Sequence, residues 1–425
     1  MKKLNLFRAL RSRNYKLYFS GQAISLIGTW IQSTAMSWLV YRLTNSSVLL
    51  GTTAFLSQIP NLFISPFVGV FLDRFSKHKI LILTQTLLMF QALILSILTL
   101  TNTIQIWHIL LLSLVLGIIN SIDAPTRQSF VIEMVERPED LNNAIALNSL
   151  LFNVARLIGP TISGFLIALI GEGMCFLINA LSYLAVIIAL LFMEIKVQIP
   201  VISENIIKDL KAGFSYAFNF IVVRYILIFI SLSSIFASIY SVLMPIFAKD
   251  ILHGGPETLG ILTGATGAGA LIGAIYLAGR SKVKGIENIL SYSFGTAGIG
   301  LLIFSLSRNI YTSILALFVT GLSFMLNSVC SNTLIQNVIE NHIRGRVMSI
   351  YVMFFMGSMP YRKLYRWTSC QTYWCCKYCT LKWNIMSYLQ SYLQSKAPYT
   401  KGIYLLYIRQ KRNKLKTNLS QILPL

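Results

Sequence analysis

The chain has 425 residues, 55% hydrophobic and 12% charged, with a mean hydropathy of +0.66 and a formal charge of +22. A water-facing surface needs about a quarter charged residues, so this composition excludes a soluble multidomain protein. Apolar runs of about twenty residues recur, each long enough to cross the hydrocarbon core as a helix, and the surplus cations read as membrane-loop charge rather than a nucleic-acid surface.

Residues 1–16 carry Lys2, Lys3, Arg8, Arg11, Arg13 and Lys16. No small-residue cleavage site follows a short apolar core, so this segment reads as a retained cytoplasmic start. The first span, Tyr15–Leu43, is interrupted by Gln22, Ser25, Thr29, Trp30, Gln32, Ser33 and Ser37. That many hydrogen-bonding groups suit a helix lining a wet cavity, not one facing lipid. The second span, Val48–Leu72, holds Pro60 and Pro66 and is expected to kink. Spans three (Ile80–Thr101) and four (Ile104–Ile122) share an uncharged link. A polar segment from Asp123-Ala-Pro-Thr-Arg127 to Asp140 then leads to span five, near Asn142, and span six, Cys175–Met193. Lys196 to Phe220 reads as a hinge. Span seven is Val223–Ala248, followed by a loop from Lys249-Asp250 to Pro256. Span eight carries Gly260, Gly264, Gly267, Gly269 and Gly273, small residues that let helix backbones approach in lipid. Spans nine (Ile289–Leu306) and ten (Ile310–Val338) follow, and span eleven starts after Arg346. Through residue 360, the N-terminus and even-numbered loops hold twenty Lys and Arg, against Arg42, Lys249 and Arg308 in the odd-numbered loops. This asymmetry predicts a multi-pass protein of the cell (inner) membrane with a cytoplasmic N-terminus.

The densest early cluster of charge is Gly69-Val-Phe-Leu-Asp-Arg-Phe-Ser-Lys-His-Lys79, a short turn between spans two and three. It resembles the loop Gly-x-x-x-Asp-Arg-x-Gly-Arg-Arg/Lys of the major facilitator superfamily of secondary transporters. Gly69, Asp73 and Arg74 match, and Lys77 keeps the charge of the next arginine; Ser76 and His78 depart. Arg13-Asn-Tyr15, Gly21-Gln22, Gly28-Thr-Trp30, Trp38-Leu-Val-Tyr41 and Asn143-Ala-Ile-Ala-Leu-Asn148 resemble the branch that includes enterobactin exporters and macrolide efflux proteins. The segment before span five, Arg127–Glu136, is echoed by Asn332–Glu340 before span eleven. Such a repeat implies two parallel bundles with the site between them.

The resemblance implies an all-α membrane protein of the major facilitator fold, with two six-helix bundles, here cut to ten or eleven spans. The expected units are an N-terminal bundle (1–194), a cytoplasmic connector (195–222), an incomplete second bundle (223–360) and an aberrant tail (361–425). It implies efflux of a small amphiphilic compound, drug or siderophore-like, by alternating access and antiport with protons. An importer of solute or lipid on the same fold stays open. Expected partners are the small-molecule substrate, protons and membrane lipid, with no nucleic acid, and the chain is expected to act as a monomer.

The tail breaks the pattern. Residues 361–425 hold twelve Lys and Arg, no acid, four of the six Cys and one Gly. Cys370, Cys375, Cys376 and Cys379 lack the paired spacing of a zinc site. A codon set for Tyr361 onward, read one base late, spells IGSFIGGLAVKLIGAANIV, a glycine-rich span resembling Ile158–Gly164. This predicts a frameshift near residue 360 and a transport-dead product as an alternative reading.

No catalytic set is present: His78, His108, His253 and His342 are dispersed, and no Gly-x-x-x-x-Gly-Lys-Ser/Thr phosphate loop occurs. The chain therefore reads as neither an enzyme nor an ATP-driven pump, with no cofactor and no metal. Gly69, Asp73, Arg74, Lys77, Asp123 and Arg127 form the expected gate, with Asp123 in reach of Arg74 or Lys77; the other reading is charge that only anchors topology. Gln22, Thr29, Trp30, Gln32, Arg156, Tyr240 and Asn327 are cavity candidates, or else pack helix to helix. Arg156 is either an interior cation or one that extends to the membrane surface. Gly159, Pro160 and Gly164 resemble the Gly-Pro motif of antiporters.

Overall fold

The computed structural model describes residues 7–72, 75–194, 218–278, 285–339 and 351. Expectations for Asp73 and Arg74, the start of span eleven and the tail, and nearly all of the connector, fall outside these residues. After a short turn at Arg8–Arg11, the helices are α1 (Arg13–Thr44), α2 (Ser47–Leu56), α3 (Ile59–Leu72), α4 (Lys77–Leu100), α5 (Ile106–Met134), α6 (Leu141–Leu191), α7 (Ile221–Ile246), α8 (Pro256–Ala278), α9 (Ile286–Leu306) and α10 (Ile310–Val338).

Two breaks have local causes. The second span is split into α2 and α3 because Pro60 has no N–H to offer the Leu56 carbonyl. Gly117 of α5 lies against that break: a Cβ there would sit 2.8 Å from the Ser57 carbonyl oxygen and 2.9 Å from that of Leu56. The 49-residue stretch Asn143–Leu191 would extend about 73 Å at 1.5 Å per residue, more than twice the hydrocarbon thickness. It folds back at Gly171, whose φ of 78° and ψ of 170° suit a residue without a Cβ. Both ends of α6 consequently meet the start of the chain, Asp140 pairing with Arg8 and Glu194 with Arg13.

Two expectations from sequence are corrected. Span four does not stop at Ile122; α5 runs to Met134 with Pro125 inside it. Lys249 and Asp250 are not loop residues but part of a wide helical turn, Phe247–Ile251, that continues α7.

Seven helices among the described residues are long and apolar enough, by length and composition, to cross a membrane. α1, rich in amides and hydroxyls, is instead covered along its length by α6. The helix ends define two ends of the molecule. The near end holds the start of α1 and both ends of α6. The far end holds Thr44, Gly171 and the turn after α7. There, Arg42 grips Glu172 with bonds of 2.7 and 3.3 Å.

The buried apolar clusters follow this division. At the far end one cluster draws on α1, α2 and α4 to α10, with Leu39, Phe176, Phe247, Leu262 and Phe304 all nearly inaccessible. At the near end a separate cluster, around Tyr15, Leu81, Phe130 and Leu190, is built from α1, α4, α5 and α6 with Ala9 of the N-terminal turn and Met193 just past α6.

Candidate functional site

α8 ties the molecule together. It packs against α6 on one side and α10 on the other. Gly260, Gly264 and Gly267 follow helical spacing on one face, and Gly269 lies nine residues, or half a turn in phase, from Gly260. A Cβ on Gly260 would lie 2.7 Å from the Pro160 carbonyl and 2.9 Å from Gly164 Cα; one on Gly267 would lie 2.7 Å from Leu157 Cα. A Cβ on Gly269 would lie 2.0 Å from the Phe318 carbonyl of α10. Of the motif glycines, Gly164 thus meets α8, while Gly159 meets Trp30 of α1, whose Cβ would be 2.4 Å away.

Side chains bridge the two helix groups at the far end. The Tyr41 hydroxyl donates to the Asp250 carboxylate. Lys249 Nζ donates to Asn45 Oδ1 at 2.7 Å and stands 5.4 Å from the Tyr41 ring centroid. Sequence reading missed this latch, because Tyr41 and Asp250 sit in separate stretches with no motif between them. Replacing Tyr41 by Phe together with Lys249 by Met is expected to remove about 1 kcal/mol per lost bond. Maleimide labelling of an Ala248→Cys probe, at a residue buried in the shared cluster, should then quicken several-fold; an unchanged rate would deny the latch.

Midway between the ends, several sequence candidates converge. Arg156 lies fifteen residues from Leu141 and from Gly171, in the middle of its limb. Its guanidinium carbon stands 5.9 Å from the Trp30 ring centroid, and its side chain approaches the Tyr240 hydroxyl, as does Thr266. Trp30 meets Phe152 edge to face at 5.8 Å, and Tyr240 stacks on Phe324 at 5.7 Å. Arg156 thus lies against side chains of both α1 and α7. Asn327 lies three residues beyond Phe324 on α10. It is 1% exposed, and neither of its amide atoms has a hydrogen-bond partner among the described residues.

The polar residues of α1 divide. Gln32 Nε2 donates to Gln91 Oε1 at 3.1 Å, and its oxygen accepts from Asn179 Nδ2 at 2.7 Å. This network lies within α1, α4 and α6 and so holds helices together. Thr29 donates to the Ser25 carbonyl at 2.9 Å. Gln22 is buried, its Oε1 without a partner among the described residues.

At the near end the expected pairing is rearranged. Asp123, fully buried, stands 2.7 Å from Arg127 Nη2 on its own helix. Its other oxygen accepts from Thr84 and Gln85 at 2.8 Å each. Lys77 binds Glu133 at 2.5 Å instead. Because α5 continues past Asp123, Glu133 is ten residues, about 15 Å, further along the helix, and meets the start of α4. Gly69 lies in α3.

These elements define a class: a multi-pass helical membrane protein whose helix groups close at one end over an interior polar and aromatic cluster. The sequence pattern of the transmembrane secretion effector family matches residues 5–371. The chain belongs to that family of major facilitator transporters, which are not enzymes. It is 26% identical over 350 residues to the staphyloferrin A transporter of Staphylococcus aureus, covering 81% of this chain and 86% of that one. It is 22% identical over 368 residues to macrolide efflux protein A of Streptococcus pyogenes, covering 82% and 88%. The fold resembles the nucleoside transporter NupG, with a TM-score of 0.66 at 13% identity over 90% of this chain and 99% of NupG. It also resembles a bacterial homologue of ferroportin in its inward-facing state, with a TM-score of 0.63 at 15% identity, covering 89% and 98%.

Proposed function

We propose that the chain exports a small amphiphilic compound across the cytoplasmic membrane by alternating access, in antiport with protons and as a monomer. The observation that carries this reading is the far-end closure, by the α6–α8 contact and the Tyr41–Asp250 latch, above the cluster of Arg156, Trp30 and Tyr240. The bias of Lys and Arg supports a cytoplasmic near end. Residues 1–194 and 223–360 are then the two bundles, joined by the cytoplasmic connector 195–222. Asp73, Arg74, Lys77, Asp123 and Arg127 serve as the cytoplasmic gate, whose ion pairs rearrange when that end closes. Relatives named for a siderophore and for macrolides agree with an amphiphilic cargo.

Everted vesicles given a pH gradient and either dansylglycine or its neutral amide, beside vesicles that lack the protein, test this reading. Protein-dependent uptake that collapses with the gradient is the expected result. Gradient-driven movement the other way would make the protein an importer, and a tag at Lys208 reached only from outside the cell would invert the orientation.

The composition break at residue 360 favours a second reading: the chain is the out-of-frame product of a transporter gene, lacking most of span eleven and all of span twelve. Resequencing the junction decides it. Deleting one base at codon 361 is expected to raise vesicle transport at least tenfold over the chain as it stands; equal activity would retire this reading.

A further inference from the structure

We infer that the cargo carries an anionic group, a carboxylate or its equivalent, that binds Arg156 beside a flat apolar portion held by Trp30 and Tyr240. This deepens the export reading and rests on it.

The argument is one of charge balance. Arg156 sits at mid-limb, and among the described residues no carboxylate pairs with it; the ion pairs there join Arg8, Arg13, Arg42, Lys77 and Arg127 to their acids. Nor can an acid elsewhere in the helices reach that depth. The chain has fourteen Asp and Glu, and α1, α2, α3, α4, α7 and α10 contain none. Glu172 opens the second limb of α6, while Glu257 and Glu287 lie in the first turns of α8 and α9. In α5, Glu133 holds Lys77 and Asp123 holds Arg127. Among the described residues, the centre of the molecule therefore carries one fixed positive charge and no compensating negative one.

A charge at that depth is expensive. The Trp30 face offsets part of the cost, since a cation over an indole is stabilised by the ring quadrupole. The Tyr240 hydroxyl supplies an acceptor. Neither neutralises the charge, so a cationic cargo meets repulsion and an anionic one meets the missing partner. A guanidinium matches a carboxylate through two parallel N–H bonds. The rings of Trp30 and Tyr240 provide apolar walls next to that fork. Asn327, buried and with both amide atoms unpartnered among the described residues, offers a donor and an acceptor about one helical turn, 4.5 Å of rise, from the Phe324 ring that stacks on Tyr240. Buried amides are rarely left unsatisfied, which marks this side of the centre as one that a polar ligand completes.

Three probes of similar size test the inference on the full chain in lipid nanodiscs: dansylglycine (an acid), dansylglycinamide (neutral) and dansylethylenediamine (a cation), titrated by dansyl fluorescence. Dansylglycine is expected to bind at least tenfold more tightly than the amide, about 1.4 kcal/mol, with the cation weakest. Arg156→Gln should abolish the acid's advantage over the amide measured in the same variant; Arg156→Lys should keep part of the preference. Equal binding of acid and amide to the unaltered protein, a preference that survives Arg156→Gln, or binding of none of the three overturns the inference. The three-probe comparison on the unaltered protein stands whether or not the Gln variant folds. The export reading fails on a different result: vesicles bearing frame-restored protein that move neither acid nor amide. Vesicles that move both alike sink the anion preference and leave export standing.

Discussion

Gly260→Val is expected to open the far end and abolish transport. At this position two helix backbones touch, with room for neither side to yield. Even a Cβ would lie 2.7 Å from the Pro160 carbonyl and 2.9 Å from Gly164 Cα, distances that side-chain rotation cannot relieve. The branched side chain must push α6 and α8 apart, and the shared apolar cluster beneath them loses its packing. Overpacking costs about 1–3 kcal/mol in well-packed cores, and here it falls on the contact that closes one end. A drop of several degrees in the detergent melting midpoint should accompany fast maleimide labelling at Ala248→Cys and at least a tenfold loss of vesicle transport. Gly273→Ala is the control. Its added Cβ would have as nearest neighbours the Leu322 carbonyl at 3.1 Å and the Met325 side chain at 3.4 and 3.6 Å, a far looser fit, and it should cost much less. Equal effects from the two would mean that the α6–α8 contact has no special role in closure.

Asp123→Ala should be the most destabilising single polar change. It removes the only carboxylate facing Arg127 among the described residues, and leaves Thr84 and Gln85 without their shared acceptor. Breaking a buried pair from one side costs about 3–5 kcal/mol, because the surviving charge stays behind unpaired. Arg127→Ala is milder, since Asp123 keeps its two neutral donors. The double variant, Asp123→Ala with Arg127→Ala, should recover on the order of 1–3 kcal/mol relative to the sum of the singles. Thermal unfolding in detergent of all four proteins closes the cycle, and additive losses would show that the two charges do not stabilise each other.

Most of the helix map could be read from the sequence, because each crossing is a long apolar run and the runs are punctuated by charge. α10 begins and ends at the residues expected, Ile310 and Val338. The failure at α5 has a simple cause. Asp123-Ala-Pro-Thr-Arg127 looks like a turn, but its two charges are four residues apart and neutralise one another on a helix face. The same spacing concealed the true partners of Lys77 and Asp123. Arg156, Trp30 and Tyr240 were each visible as unusual residues in apolar runs; that they meet depends on packing between residues more than eighty positions apart in the chain, which no local pattern encodes. Gln32 of α1 shows the same dependence on packing. From sequence it could line a cavity or join helices, and its partners, Gln91 and Asn179, come from two other helices.

The reversal at Gly171 has a mechanical corollary. A link of one residue gives the two limbs of α6 almost no freedom to slide past each other. The first limb abuts α8; the second carries Asn179, which is bolted through Gln32 to Gln91. A tilt delivered at the Gly164–Gly260 crossing is thus passed to α1 and α4 without slack, so that α1, α4 and α6 swing as one lever instead of flexing helix by helix.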